Sequence, residues 1–478
     1  MAVEGLDVLF VNPPSPDGEV FIRDIHRVGR RSREKMIWPQ TELAQLAASV
    51  YPKYSVKIID CIAEYMTWPD FQKELERLRP RFVVTNVTAP TLTNDLQVTF
   101  LAKSLGARTV AIGSHVTPMA HETLTNYPTL DYICRHEPDE TLPELIATVD
   151  ADGDLYGVKS LAFRAPETGE VIINPDRPFI HDLDLLPIPL YHLLPLEKYK
   201  IPMIKGSYCF VTTGRGCPAG CRFCIKHVMW QSSMRSHSPE RILEEVRVLF
   251  DLGVKNVHFY ADLFTADRDV VMKLCDLIIE SGMKFKWTCN SRVDFVDDEM
   301  LAKMHAAGCW FISWGLESAN QQVLQHNRKG ITVEKTRATL AKAKAIGIRN
   351  WGYFIIGLPG ETEASIRETI DFSKSLPLHL ALFHIAVPYP GTPMYHEILE
   401  NEWITMTKYE DFDMDRSTVI NYPSLTHAQL EKWAKRAFRE WAMRPGPAFT
   451  FLRSANSLDT LKSLFTIGVE HLSWIKGV

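Results

Sequence analysis

Two stretches of this sequence, residues 1–145 and 206–405, alternate short β-rich runs with helical segments, and that alternation leaves few folds open. Strands joined by helices pair in parallel, because a parallel neighbour needs a crossover of a dozen or more residues and a helix supplies it. In the first stretch the predicted strands are Asp7–Asn12, Ser55–Ile59, Phe82–Val87, Thr109–Gly113 and Tyr132–Arg135. Gln40–Ser49 and Asp70–Arg77 read as helices between them. Polar or Gly/Pro-containing loops follow several strand ends, at Asn12–Pro16, Thr88–Thr91 and Gly113–His115. Open α/β sheets bind ligands beyond the carboxyl ends of their strands, so these loops are expected to form a site.

The second alternation predicts strands at Tyr208–Thr212, Asn256–Tyr260, Phe285–Cys289, Trp310–Trp314, Trp351–Ile356 and Leu380–Ala386. One intervening helix opens at Ser238-Pro239, a Ser cap with Pro at the first helical position, and stops near Gly253. Another, Asp267–Ser281, carries Val270, Val271, Leu274, Leu277 and Ile278 at helical spacing. Six strand–helix repeats suggest a partial (β/α)6 barrel with its active site at the C-terminal strand ends. Between the two units, residues 146–205 hold a predicted hairpin (Lys159–Ile173) and a Pro/Leu/Asp-rich run, Pro175–Tyr199. That run is too apolar for a solvated tether and reads as an ordered connector. Residues 406–478 read as a helical C-terminal region. The fold class is α/β: a Rossmann-like unit, then a partial barrel, then helices.

Bulk properties narrow the function. A net charge of −5 lacks the basic footprint of a nucleic-acid partner. No apolar run approaches the roughly 18 residues of a membrane span, and the first residues lack signal-peptide order, so a cytoplasmic address is expected. Without an export signal a disulfide framework is not expected either. Cys61, Cys134, Cys209, Cys275, Cys289 and Cys309 sit apart along the chain, most of them inside apolar runs, as small core residues do. Cys217, Cys221 and Cys224 do not.

Those three lie in Gly214-Arg-Gly-Cys217-Pro-Ala-Gly-Cys221-Arg-Phe-Cys224, directly after the first barrel strand. Three thiolates at C-x3-C-x2-C spacing each bind one iron of a cubane cluster, and glycines let the backbone wrap around it. No fourth cysteine follows at short range, which leaves one iron open for catalysis. Zinc with a distant fourth ligand, such as His227, and free thiols are the competing readings; zinc more often uses paired C-x2-C knuckles.

The spacing, with Phe223 before the third cysteine, resembles the radical S-adenosylmethionine (SAM) superfamily. In that family a [4Fe-4S] cluster binds SAM through its open iron and reductively cleaves it to methionine and a 5′-deoxyadenosyl radical. Membership implies further roles. Asp262, in Tyr260-Ala-Asp262, falls where the family contacts the methionine amino group, though glutamate is commoner there. Gly315-Leu-Glu317-Ser318 resembles the ribose- and carboxylate-contacting segment, and Gly357-Leu-Pro-Gly360 the segment passing near adenine. Asn290 and Arg292 end the third strand within reach of cofactor or substrate. Singly these are weak, since Glu317 is equally a helix cap and Gly360 a turn. Their order, one after each successive strand, is specific.

A Rossmann-like unit ahead of such a barrel resembles the cobalamin-binding branch. The resemblance implies cobalamin contacts at Asn12, Pro13, Thr88, Ala89, Gly113, Ser114 and His115, with Glu137 in the acidic segment closing the slot. One departure stands out. Related domains place a cobalt-ligating histidine in D-x-H-x-x-G, whereas Asp60-Cys-Ile62 carries isoleucine there. His115 then reads as a contact to the nucleotide tail, or as a loop histidine satisfied by backbone. A degenerate domain that binds nothing is the other reading.

The layout is similar to the anaerobic magnesium-protoporphyrin IX monomethyl ester oxidative cyclases and to cobalamin-type radical enzymes of hopanoid metabolism. Segments carrying this are Arg177–Pro187, Arg235–Pro239 and Val387–Pro393. The leading implication is oxidative cyclisation of that porphyrin in bacteriochlorophyll biosynthesis. Its rivals are a cobalamin-dependent C- or P-methyltransferase and, in another class, a non-catalytic corrinoid-binding protein. Implied partners are a porphyrin or lipid-like small molecule and an electron donor such as flavodoxin or ferredoxin. In the C-terminal region Trp433, Phe438 and Trp441 alternate with Lys432, Lys435, Arg436 and Arg439. That pattern is a helix with a core face and a solvated basic face. Apolar-substrate binding and loose membrane-surface contact are the further options.

Overall fold

The computed structural model describes residues 5–32, 35–201, 206–405 and 408–446. The first sheet has seven strands, β1 (Val8–Asn12), β4 (Val56–Asp60), β5 (Phe82–Asn86), β6 (Arg108–Ile112), β7 (Tyr132–Cys134), β8 (Leu161–Arg164) and β9 (Val171–Ile173), after a small hairpin of β2 (Phe21–Ile22) and β3 (Arg30–Arg31). Their spatial order is β4-β1-β5-β6-β7-β8-β9. The first five are parallel, and their near-continuous burial explains the β-branched, uniformly apolar runs that marked them in sequence.

Two expectations change here. The hairpin assigned to the connector pairs antiparallel with β7, so the sheet gains two strands and runs on past residue 145. Helix Pro138–Asp150 also spans that boundary. The β2–β3 hairpin went unread because two-residue strands carry no periodicity.

The second unit has β10 (Tyr208–Thr212), the short antiparallel pair β11 (Gly214–Gly216) and β12 (Met234–Ser236), then β13 (Asn256–Tyr260), β14 (Lys286–Ser291), β15 (Cys309–Glu317), β16 (Arg349–Ile356) and β17 (Leu380–Ile385). Six of these form an open parallel sheet in the order β10-β13-β14-β15-β16-β17. Strand parity sets the inner face. Phe210, His258, Ser313, Tyr353 and His384 all point inward and line the lumen. Helices between the strands are capped by Ser238, Asp267, Asp297, Thr332 and Thr362, each accepting a backbone N–H.

The connector packs tightly. Tyr199 donates to Asp60 Oδ2 (2.9 Å) and Tyr191 to Glu245 Oε2 (2.8 Å), both in the interior between the units. Residues 408–426 are irregular, with a single 3-10 turn at Tyr409–Asp411, so the helical expectation holds there only for His427–Ala442. Residues 447–478 lie outside the described part. That helix buries Leu430, Ala434, Ala437 and Trp441 against the barrel. On its outer side Glu440 pairs with Arg367 and Arg436 at 2.8 Å each. Among the described residues no helix is long and apolar enough to cross a membrane.

Candidate functional site

The cysteine loop is closed at its base by β11 pairing with β12. Gly216 makes this closure possible: its φ is +87°, and a Cβ there would lie 1.9 Å from Ser233 O. Gly216 N–H donates to Asp262 Oδ2 (2.8 Å), fastening the loop to the end of β13. Inside the loop Lys226 Nζ donates to Cys217 O (2.8 Å). His227 Nε2 lies 3.0 Å from Cys221 O, so this zinc-ligand candidate faces a backbone carbonyl.

Cys217, Cys221 and Cys224 line one chamber of about 340 Å³ at the C-terminal end of the barrel. Burial pushes the Cys224 thiol up to about 12, and the nearby Cys221 adds to this; burial likewise raises Cys217. Thiols that suppress each other's ionisation form a donor set that a cation relieves, because they deprotonate as it binds. Arg292 Nη1 donates to Cys221 Sγ (3.2 Å), adding positive charge at the rim. Among the described residues no three His, Cys, Asp or Glu side chains converge on one ion. The ligands of a cubane need not, since each binds a different iron. No other cysteine lines the chamber among the described residues.

The rim carries opposite charges. Asp262, Asn290, Arg292 and Glu317 all line the chamber with Phe223, from the ends of β13, β14 and β15 and from the cysteine loop. Asn290 Nδ2 donates to Ala261 O (2.8 Å), which holds two strand ends in register. Glu317 occupies φ +60° at a bulge between β15 and β16 and accepts from Lys329 Nζ at 2.6 Å. Burial disfavours the ammonium of Lys329, but Glu317 and Cys221 overrule it and raise its pKa. Ser318 and Gly360 do not line the chamber. Ser318 Oγ lies 3.2 Å from Thr369 Oγ1 on a flanking helix, and Gly360 turns beside His326. Below Gly360, Glu361 accepts from Gly357 N (2.5 Å), and burial lifts its pKa to about 8.

The loops of the first sheet divide into two groups. Between β1 and β5, where crossover direction switches, the fully buried Arg23 fills the crevice. It donates to Asn12 Oδ1 (3.3 Å), Pro13 O (3.0 Å) and Pro14 O (3.2 Å), and pairs with Asp95 at 2.8 Å. Thr88 belongs to the same knot through Thr91 (2.9 Å). One strand over, Ala89, Ser114 and His115 line a gap of only about 10 Å³ facing Ile225 and Tyr389 of the barrel unit. Gly113, at φ +127°, shapes this turn, since a Cβ would meet Val87 O at 2.5 Å. Both nitrogens of His115 and both polar atoms of Asn86 are buried without partners, and burial lowers the His115 pKa to about 3. Glu137 stands apart from this group: it pairs with Arg215 (3.0 Å) and Arg235 (2.9 Å) across the two units.

Orphaned polar groups around a gap fit a ligand with a polar rim, as the amide-fringed corrin of cobalamin has. The ring itself needs far more room than the gap, and Val28, Ile225 and Tyr389 line both the gap and the cysteine chamber. Ile62 is buried in the core with Ala63, so no imidazole stands at that position.

Three residues at the site carried no motif. Arg27, over the Tyr260 ring at 4.2 Å, enters from the small hairpin. Lys329 follows a short helix with only a neighbouring glycine to mark a turn. His384 is the inward residue of β17, and its parity with Leu382 was the available signal. Arg27, Asn290, Tyr353 and His384 also line a second chamber, of about 250 Å³, in the barrel lumen.

The family model of the Radical SAM superfamily matches residues 211–373. The chain is 33% identical over 413 residues to a protein of Pyrococcus horikoshii named as an uncharacterized methyltransferase, covering 85% of this chain and 88% of that one. It is 27% identical over 396 residues to the anaerobic magnesium-protoporphyrin IX monomethyl ester cyclase of Rubrivivax gelatinosus, covering 80% and 69%. Its fold is shared with OxsB, a cobalamin-dependent SAM radical enzyme solved with aqua-cobalamin and SAM bound. There the TM-score is 0.73 at 17% identity, over 98% of this chain and 72% of that one.

Proposed function

Because this chain belongs to the radical SAM superfamily, we propose that it is a cobalamin-dependent radical SAM methyltransferase acting on a small substrate in the barrel lumen. The observation that carries it is the single chamber where three cysteines, Asp262, Arg292 and the Glu317–Lys329 pair meet, opening at Arg27 and His384 onto a second chamber. In this reading Cys217, Cys221 and Cys224 hold a [4Fe-4S] cluster. Asp262 and Arg292 complement the amino and carboxylate groups of SAM, and Glu317 meets its ribose. Ala89, Ser114 and His115 contact cobalamin.

When bound, the cluster would supply an electron for cleavage of SAM and cobalamin would carry the methyl group. The residues of this chain prepare that step. Arg292 and Lys329 hold positive charge beside Cys221. Lys329 also holds Glu317 in place, while Gly315 leaves room for both. Arg27 stands where the chambers meet, held over the Tyr260 ring.

Porphyrin cyclisation is the second reading, favoured by the resemblance to the Rubrivivax enzyme over most of the chain. It ranks below methyl transfer for two reasons. The identity to the Pyrococcus protein is higher. The lumen chamber of about 250 Å³ also lies below the roughly 300–1,000 Å³ of ordinary ligand pockets, and a magnesium porphyrin is a large ligand.

Reconstituted holoprotein with bound, reduced cobalamin and methyl-labelled SAM tests the proposal. Methyl transfer predicts label on the protein-bound cobalamin. Cleavage of SAM with every label left on methionine would reject it.

A further inference from the structure

Aromatic rings line the lumen chamber from two sides. On one wall, from β10 and β13, the rings of Phe210 and Tyr260 are stacked 5.1 Å apart at 12°. On the other, from β16 and β17, Trp351, Tyr353 and His384 form a ladder, with 5.1 Å and 24° between the first two rings and 5.7 Å and 14° between the last two. These strand pairs are at opposite ends of the six-stranded sheet, yet their side chains line one cavity, so the sheet curls to face the ring ladders towards each other. Aromatic rings on both sides of a small cavity favour an aromatic occupant, through edge-to-face contact and dispersion.

The ladder ends in one fixed polar atom. His384 Nδ1 lies 2.7 Å from Asp415 Oδ1, and Asp415 Oδ2 is held in turn by Arg30 Nη1 at 2.9 Å. The carboxylate can only accept, so the proton of the neutral ring sits on Nδ1, and Nε2 is an acceptor. Nε2 makes no hydrogen bond among the described residues, and His384 lines both chambers.

We propose that the lumen is a binding site for a planar aromatic or heteroaromatic ring system bearing an N–H or O–H group, which donates to His384 Nε2. This deepens the methyltransferase reading by naming its substrate class, and rests on it only for calling the ligand a substrate. Asp415 and Arg30 act as positioning residues, fixing the tautomer and the ring plane of His384.

The test uses reconstituted holoprotein and two ring probes of matched shape, indole, which has an N–H donor, and benzofuran, which has none. Binding of each is measured by calorimetry beside binding of SAM on the same sample. Wild type is expected to take indole roughly three- to tenfold more tightly than benzofuran, the effect of one hydrogen bond. His384→Phe should equalise the two probes, His384→Gln should retain part of the preference through its amide oxygen, and Tyr353→Leu should weaken both. Equal affinities in wild type, or a preference surviving in His384→Phe, would overturn the proposal. So would absence of saturable probe binding by protein that still binds SAM. Loss of SAM binding instead rejects the enzymatic reading beneath it, and leaves the ring site to be judged on the probes alone.

Discussion

Lys329 Nζ sits 2.6 Å from Glu317 Oε1 in a buried ion pair at the rim of the cysteine chamber, and the missing side chain of Gly315 makes the space for it. A Cβ at residue 315 would lie 2.7 Å from Glu317 Oε1 and 2.9 Å from Lys329 Nζ. Holding Glu317 at φ +60° costs about 1–3 kcal/mol, which the surrounding pair must offset. Two substitutions separate position from charge. Gly315→Ala should weaken SAM binding about tenfold or more, by pushing the pair off its position, while barely changing the thermal midpoint. Lys329→Met should destabilise the fold by about 3–5 kcal/mol, because Glu317 is left buried and unpaired. Equilibrium dialysis and denaturant melts read the two effects.

Glu361 predicts a pH signature. Burial raises its carboxyl from the ordinary 4.5 to about 8. Between those values the folded chain binds more protons than the unfolded one, so stability falls as pH rises through that window. The contribution of the protonated acid is complete below 4.5 and gone above 8. Glu361→Gln removes the titrating group and should flatten this slope, leaving the variant relatively more stable than wild type at pH 9 than at pH 5. Parallel slopes in chemical denaturation would contradict it.

Arg215 joins the two units. It makes paired contacts to Asp139 at 2.9 Å and 3.1 Å and meets Glu137 at 3.0 Å, all buried. Arg215→Met leaves Asp139 unpaired and Glu137 with Arg235 alone, and should cost about 3–5 kcal/mol. The loss should appear as a lower midpoint in denaturant for the whole chain, because the units share this interior.

His115 should show opposite signs with and without ligand. Its ring nitrogens are buried and unpaired, at a cost of about 1–3 kcal/mol. His115→Phe should therefore raise the thermal midpoint of cobalamin-free protein while lowering cobalamin retention on gel filtration. A variant that loses stability and keeps cobalamin would refute the contact.

The sequence was most legible where one physical rule acts alone. The six barrel strands were readable because most of their residues are buried on both faces. The cysteine loop was readable because its spacing is dictated by the cluster it suits. Legibility failed where tertiary contacts decide. Arg23 looks like any surface arginine in sequence, yet it fills the crevice between β1 and β5, ties up Asn12 and Pro13, and reaches Thr88 through Thr91 and Asp95. Glu137 looked like part of a ligand slot, but its charge is met by Arg215 and Arg235, roughly 80 and 100 residues further along. The β8–β9 hairpin read as connector because short edge strands show little alternation, and only pairing with β7 reveals their sheet.

The central claim is that Cys217, Cys221 and Cys224 hold a catalytic [4Fe-4S] cluster. Anaerobic reconstitution followed by iron and sulfide analysis tests it most directly. Wild type should carry about four irons per chain, and the triple variant Cys217→Ala, Cys221→Ala, Cys224→Ala close to none, with the fold of both verified by circular dichroism. A folded triple variant that retains the full iron and sulfide complement would contradict the account.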